Sequence, residues 1–260
     1  MKAVTSRDNA AFKAMAKLAA STSERKRRGL TVLDGAHLVA AFLDSGREVD
    51  SLMVSAPALQ RPEIERLVDR VPGSRVTVVS EALFKVLSTV DSATGMIAAA
   101  ETPAGHSVPP DADLVLVLEG IQDPGNVGTL LRSAAAAGAG HAVLSKDCAF
   151  AWSLKTIRAA MGAHFALNII EGIDLVAFLE SFRGTAVALT GESKRSLYDV
   201  DLRGPVALLV GNEGSGLTPE VRGHATFTAS IPMPGKMESL NAGVAGSLAL
   251  FEAVRQRRSR

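Results

Sequence analysis

The sequence predicts a two-part α/β protein: a smaller mixed unit, then a larger unit built on a parallel sheet. Three observations carry this. Short apolar runs alternate with helical patterns along most of the chain. Leu114-Val115-Leu116-Val117-Leu118 is continuously apolar, as expected of a strand buried on both faces of a parallel sheet. Between the halves lies ETPAGHSVPPDAD, from Glu101 to Asp113, with three prolines and no hydrophobic periodicity. It reads as a linker, so the domains are expected at 1–102 and 113–260, joined by 103–112.

Each element follows from its local pattern. In the first part, a helix near Asn9–Ala20 precedes an apolar run at Leu30–Leu33 and a helix around Ala36–Ser45. A strand at Leu52–Val54, a helix near Pro62–Arg70 and a strand at Arg75–Val79 come next, then a helix at Glu81–Leu87 and a strand at Gly95–Ala100. In the second part, Val127–Gly138 is Ala-rich and helical, and His141–Ser145 is a strand. A helix around Leu154–Gly162, a strand near Ala166–Ile170 and a helix at Leu175–Phe182 lead to strands at Thr185–Thr190 and Val206–Val210. Phe227–Ile231 and a closing helix over Leu240–Arg255 complete the chain. Ligands of such sheets bind at the carboxyl ends of the strands.

Composition narrows the class. Apolar residues make up 47% of the chain and charged ones 21%, an ordinary soluble composition without a transmembrane run. The opening MKAVTSRDNAAFK lacks the apolar core of a signal peptide, and Cys148, the single cysteine, forms no internal disulfide. These features predict a cytoplasmic protein. Residues 1–30 carry eight Lys or Arg against Asp8 and Glu24, and the last ten carry four Arg against Glu252. With an overall net charge of only +1, the middle is acidic. Basic ends on an acidic body point to a polyanion held at chosen places, or equally to solvated ends.

Three loops stand out. Glu119-Gly-Ile-Gln-Asp-Pro-Gly-Asn-Val-Gly128 follows Leu118 and enters the helix bearing Arg132. Gly211-Asn-Glu-Gly-Ser-Gly-Leu217 follows Val210. Pro232-Met-Pro-Gly-Lys-Met-Glu-Ser-Leu-Asn241 follows Ile231. Singly, each has a modest explanation. Asn126 suits the cap of a helix beginning at Val127, and Asn241 suits another cap. Glu213 is a turn carboxylate, and Gly214 and Gly216 supply positive φ or close approach. No G-x-G-x-x-G or Walker-type phosphate loop is present, and the five histidines lack metal-ligand spacing, so no metal is expected.

Together, DPGNVGTLLRSAAAAG, LLVGNEGSGL and IPMPGKMESLNAGVAGSLALFEAV resemble the three ordered motifs of the SpoU/TrmH family of RNA ribose 2′-O-methyltransferases. The resemblance covers Leu114 to Arg257. The stretches DGAHLVAAFLDSG and Glu81–Ser88 are similar to the family's small substrate-binding domain, an α/β RNA-binding fold like that of a ribosomal protein, and the opening TSRDNAAFKAMAKL is similar to the basic leader of many two-domain members.

The resemblance implies a C-terminal α/β knot, a trefoil that departs from the usual rule against threaded chains. It implies S-adenosylmethionine as cofactor, contacted by Gly211, Ile231 and Leu240 largely through backbone groups, with Met233 nearby and Thr190 and Gly191 bordering the adenine. It implies catalytic positions at Asn126, Arg132, Glu213 and Asn241. Arg132 matches the family's motif-one arginine, proposed there to help activate the 2′-hydroxyl, although a guanidinium is a poor base and better suits a phosphate clamp and electrostatic role. The two asparagines position loops and substrate, and Glu213 orients Arg132 or its loop. It also implies a homodimer through the first and closing helices, and an RNA substrate, ribosomal (23S-type) in preference to transfer RNA. A catalytically silent RNA-binding member and an α/β enzyme acting on a small nucleotide are the competing readings. Gly243 stands two residues after Asn241 where many members carry serine. No hydroxyl there serves this chain.

Overall fold

Capping chemistry sets the first helices. The Asn9 side chain accepts from the N–H groups of Ala11 and Phe12, starting α1 (Ala10–Ala20). Ser21 caps α2 (Thr22–Arg28), which ends at Gly29 with φ 62°. The structure is a computed structural model that describes residues 1–88 and 94–258. It divides into two units, Met1–Pro103 with Trp152–Leu154, and Ala104–Ala151 with Lys155–Arg260.

The first unit continues with α3 (Ala36–Asp44), α4 (Ala56–Leu59), α5 (Pro62–Asp69) and α6 (Glu81–Leu87). Its strands are β1 (Lys2–Val4), β2 (Leu30–Asp34), β3 (Ser51–Ser55), β4 (Val76–Val79) and β5 (Met96–Glu101). They form one sheet in the order β1-β4-β3-β5-β2. β1, β4 and β3 run parallel, while β5 pairs antiparallel with both β3 and β2. Phe12, Met15, Leu18, Phe84 and Leu87 pack over Val32, Met53 and Ile97 to make its core.

Three elements here escape the sequence pattern: β1, α2 and the single-turn α4. Lys2-Ala3-Val4, just ahead of the stretch read as a basic leader, adds an edge strand by pairing with Thr77–Val79. α2 has no apolar stripe; it stands on its caps and on Glu24, which sits 2.7 Å from Arg27, 3.4 Å from Lys17 and 3.9 Å from Arg28. The basic leader is thereby partly neutralised from within.

The second unit has β6 (Leu114–Leu118), β7 (His141–Leu144), β8 (Asn168–Glu171), β9 (Thr185–Leu189), β10 (Val206–Val210) and β11 (Phe227–Ala229). All pair in parallel, in the order β11-β9-β10-β6-β7-β8. β6 and β10 are buried along their whole length at the centre of the sheet. The helices are α7 (Pro124–Ala136), α8 (Leu154–Ala160), α9 (Leu175–Ser181), α10 (Pro219–Gly223) and α11 (Ala242–Arg258). α11 packs on α7 and β10, although β11, the strand before it, lies at the sheet edge.

The chain therefore returns from edge to centre. The β9–β10 connection grips it at both ends of that return. Leu197 N–H donates to Ser230 O at 2.8 Å, and Ser230 N–H donates to Arg195 O at 2.9 Å. At α11, Gln256 accepts from Leu202 N–H at 2.9 Å and donates to Val200 O at 3.0 Å. This path is consistent with the knot that the resemblance implies.

The Pro-rich segment is less free than a tether. His106 N–H and carbonyl both bond the Asn168 side chain at 2.8 Å, Pro110 O accepts from Arg183 N–H at 2.7 Å, and Ala112 is buried. Its far half is laid along the second unit. Among the described residues, no helix is long and apolar enough to cross a membrane.

Candidate active site

The loops after β6 and β10, and the segment between β11 and α11, meet at the carboxyl ends of the central strands. Helix α7 starts earlier than the sequence suggests. Asp123, not Asn126, is its cap: Asp123 Oδ1 accepts Asn126 N–H at 2.8 Å and Pro124 takes the first helical position. An Asp-Pro pair is a strong start signal, and proline at that position has no N–H to leave unsatisfied. Asn126 is thus released from capping, and its side chain turns to other partners.

Those partners are the other two loops. Asn126 Nδ2 donates to Glu213 Oε1 at 2.9 Å, and Asn126 Oδ1 accepts from Asn241 Nδ2 at 3.0 Å. Asn241 Oδ1 in turn accepts Val244 N–H at 3.2 Å, capping α11. The amide orientation is dictated by the carboxylate, since an Asn126 oxygen facing Glu213 would repel it. One three-residue relay ties the three loops together.

Glu213 also accepts from the backbone N–H groups of Gln122 at 3.2 Å and Asp123 at 3.3 Å. Partial burial on its own would raise its carboxyl pKa. The hydrogen bonds from Asn126 and from backbone N–H groups outweigh that and hold it below the ordinary value. Its contacts are with the loop before α7. Arg132 lies almost two helical turns beyond Asn126, exposed, and no hydrogen bond or ion pair joins it to Glu213 among the described residues. Of the two partners expected for Glu213, the loop is the one it holds.

Further polar groups at the strand ends stiffen the same junction. Glu119, just past β6, accepts from Thr218 N–H and Oγ1, both at 2.8 Å. Asn212, just past β10, donates to Gly120 O at 2.7 Å and accepts from Gly214 and Ser215 N–H. Neither residue is singled out by the sequence reading. The usable signal was their place directly after a buried strand.

Beside this junction lies a cavity of about 400 Å³. Thr190, Gly191, Gly211, Ile231, Met233 and Leu240, the six positions expected around a cofactor, all line it. A Cβ at Gly211 would overlap the backbone of Gly216 and Leu217, so only glycine lets that loop fold back on the strand end. Glu213 lines the same cavity and so links it to the Asn126 side. Gly243 sits at the foot of α11, where a Cβ would lie 3.0 Å from Asn241 Oδ1 and 3.3 Å from Asn126 Oδ1. The bare glycine lets α11 close on the asparagine pair. The rim carries three charged residues that the sequence reading does not foresee: Glu192, Arg222 and Glu238.

A concave site of this volume, lined by glycines and aliphatic chains interleaved with polar and charged side chains, suits a nucleoside-sized ligand. Fold and site together define an α/β protein with a concave site suited to such a ligand at its strand ends. The chain belongs to the SpoU rRNA Methylase family, which matches residues 113–251. Residues 9–98 match an MRM3-like substrate binding domain.

Among relatives, a 23S rRNA (guanosine-2'-O-)-methyltransferase RlmB of Xylella fastidiosa is 45% identical over 147 residues, 55% of this chain and 59% of that protein. The chain thus matches little more than half the length of that relative. An uncharacterized tRNA/rRNA methyltransferase, slr1673, of Synechocystis sp. is 32% identical across 97% of this chain and 93% of its own length. The crystal structure of an AdoMet-bound rRNA methyltransferase from Sinorhizobium meliloti superposes with a TM-score of 0.86 at 29% identity, covering 98% of this chain and 97% of that one.

Proposed function

We propose that this protein transfers a methyl group from S-adenosylmethionine to a ribose 2′-hydroxyl of RNA, most plainly of 23S-type ribosomal RNA. The observation that carries the reading is the relay from Glu213 through Asn126 to Asn241, which couples the cavity to the loop and helix bearing Arg132.

The residues fit the cofactor: Gly211, Ile231 and Leu240 would hold it through backbone groups, with Met233, Thr190 and Gly191 around it. When bound, it supplies an electrophilic methyl on a sulfonium, so the protein must chiefly orient and deprotonate the acceptor. A guanidinium is a poor base and a good phosphate clamp, and that is the role Arg132 would take. Its guanidinium would bind the RNA phosphate beside the target ribose and stabilise developing negative charge there. The hydroxyl proton would pass to water or to that phosphate. Asn126 and Asn241 would keep the acceptor loop and the cofactor wall in one register, with Glu213 fixing the Asn126 amide.

The assembly proposed is a homodimer through α7 and α11. Val244, Leu248 and Phe251, at helical spacing on α11, are 48%, 41% and 49% exposed, a stripe that a second copy would cover. A cytoplasmic setting agrees with this substrate.

The test is ribose-methylation mapping of total RNA from cells with and without the gene, paired with methyl transfer in vitro. Loss of one 2′-O-methyl group in 23S rRNA is the expected result. Loss in a transfer RNA would move the substrate class. An unchanged map with no transfer in vitro would sink the enzymatic reading.

A further inference from the structure

The cavity rim holds an ion pair that the relay does not use. Arg222, on α10, donates from Nη1 to Glu192 Oε2 at 2.9 Å, just past β9. Both residues line the cavity, one from helix α10 and the other from the segment after β9. Glu192 is 81% exposed in its side chain and Arg222 is 36% exposed, so the pair is solvent-accessible and easily exchanged.

Charge matching assigns it a task. Among the residues lining the cavity, Arg222 is the one cation, and the carboxylates are Glu192, Glu213 and Glu238. Glu213 is committed to three donors at the Asn126 loop. A ligand with an α-amino-acid end brings a carboxylate and an ammonium separated by one carbon. Its carboxylate needs a cationic or N–H donor and its ammonium an anionic acceptor, or both are desolvated without return. An opposed Arg–Glu pair offers both, in complementary polarity.

We propose that Arg222 and Glu192 form the clamp for the zwitterionic amino-acid end of the cofactor, Arg222 taking the carboxylate and Glu192 the ammonium. The ion pair opens as the ligand enters, each side chain exchanging one opposite charge for another. The binding chemistry thereby splits in two. Gly211, Ile231 and Leu240 hold the nucleoside through backbone and shape, whereas the rim pair reads the amino acid through charge. Because both partners are side chains at the rim, losing either leaves the nucleoside subsite intact.

The clamp rests on the cofactor reading of the cavity, and calorimetric titration with two probes separates the two. S-adenosylhomocysteine carries the amino-acid end; 5′-methylthioadenosine keeps the nucleoside and thioether and lacks it. In Arg222→Ala, affinity for S-adenosylhomocysteine is expected to fall about tenfold or more, as for a lost hydrogen bond to a charged group. Affinity for 5′-methylthioadenosine is expected to stay within about twofold, which also reports an intact fold. Glu192→Gln should show the same split, more weakly. Equal binding of S-adenosylhomocysteine by wild type and Arg222→Ala overturns the clamp. So does an equal loss with both probes, which would turn the pair toward the nucleoside. If the wild-type protein binds neither probe, the cofactor reading itself fails.

Discussion

Asn126 and Asn241 stand 115 residues apart in the chain and share a hydrogen bond of 3.0 Å. Asn126 is a donor to Glu213 and an acceptor for Asn241 at once, which only an amide side chain of this length can be here. Asn126→Asp keeps the shape and reverses one polarity, setting a carboxylate against Glu213. Each broken link is worth about 1 kcal/mol at an exposed junction, with charge repulsion added. Methyl transfer is expected to fall about 10- to 100-fold. Binding of S-adenosylhomocysteine should change far less. A variant with wild-type turnover would show that the relay is only structural.

Arg132 makes a cleaner separation. It is exposed on α7 and does not line the cavity, so Arg132→Ala should leave cofactor affinity unchanged while methylation is abolished. Arg132→Lys should restore a minor part, since lysine keeps the charge without the planar fork. Single-turnover methylation alongside calorimetry checks both arms. Retained activity in Arg132→Ala would remove it from the chemistry.

How far the site could be read in advance depends on the range of the signal. Strand cores such as Leu114–Leu118 and Val206–Val210 are legible because burial on both faces leaves a continuous apolar run. The loop residues are legible by type and order: Asn126, Glu213 and Asn241 each follow a strand. Their partners are not, because Glu213 meets Asn126 across 87 residues and only the folded sheet brings them together. Asn126 shows the limit most clearly. Its identity suggested a cap, but Asp123-Pro124 began the helix three residues sooner. Short elements such as β1 and α10 are invisible to periodicity, and with α10 the rim position of Arg222 was lost too.

Glu213 gives a pH signature. Its hydrogen bonds to Asn126, Gln122 and Asp123 hold the folded pKa below the ordinary value, although partial burial opposes them. A depressed carboxyl contributes stability that is present above the unfolded pKa of about 4.3 and lost as pH falls through the folded value. Wild type should therefore melt above Glu213→Gln at neutral pH, with the gap closing as pH falls below about 4. Thermal melts of both proteins from pH 7 to pH 3 measure this. A gap that stayed constant would mean that Glu213 acts through shape alone.

Two glycines of one loop should behave differently. Gly211→Ala forces a Cβ into the backbone of Gly216 and Leu217, which packed main chain relieves only by moving. A cost of about 1–3 kcal/mol is expected. Because that loop walls the cavity, cofactor affinity should drop with it. At Gly214 the nearest atom to a new Cβ is Asn212 Oδ1 at 3.6 Å, an ordinary contact, so Gly214→Ala should be close to neutral. Melting temperature and S-adenosylhomocysteine affinity, measured for both, decide. Equal tolerance would show that the wall bends more easily than its contacts imply.

The α11 stripe yields the last prediction. Single exposed apolar residues are common on any surface, but Val244, Leu248 and Phe251 recur every three or four positions and so share one face. Each is already about half covered, so burying the rest is worth about 0.7–1.5 kcal/mol, enough for three together to weigh in an interface. Leu248→Asp with Phe251→Asp would place two like charges in that face and should give a monomer by sedimentation equilibrium. The helix itself should hold, because its buried side, Gly246, Ala249, Leu250 and Ala253, is untouched. If the site needs a second copy, methylation would fall with dimer content while each monomer still bound cofactor. A double variant that remained dimeric would place the interface elsewhere, and a monomeric wild type would remove it.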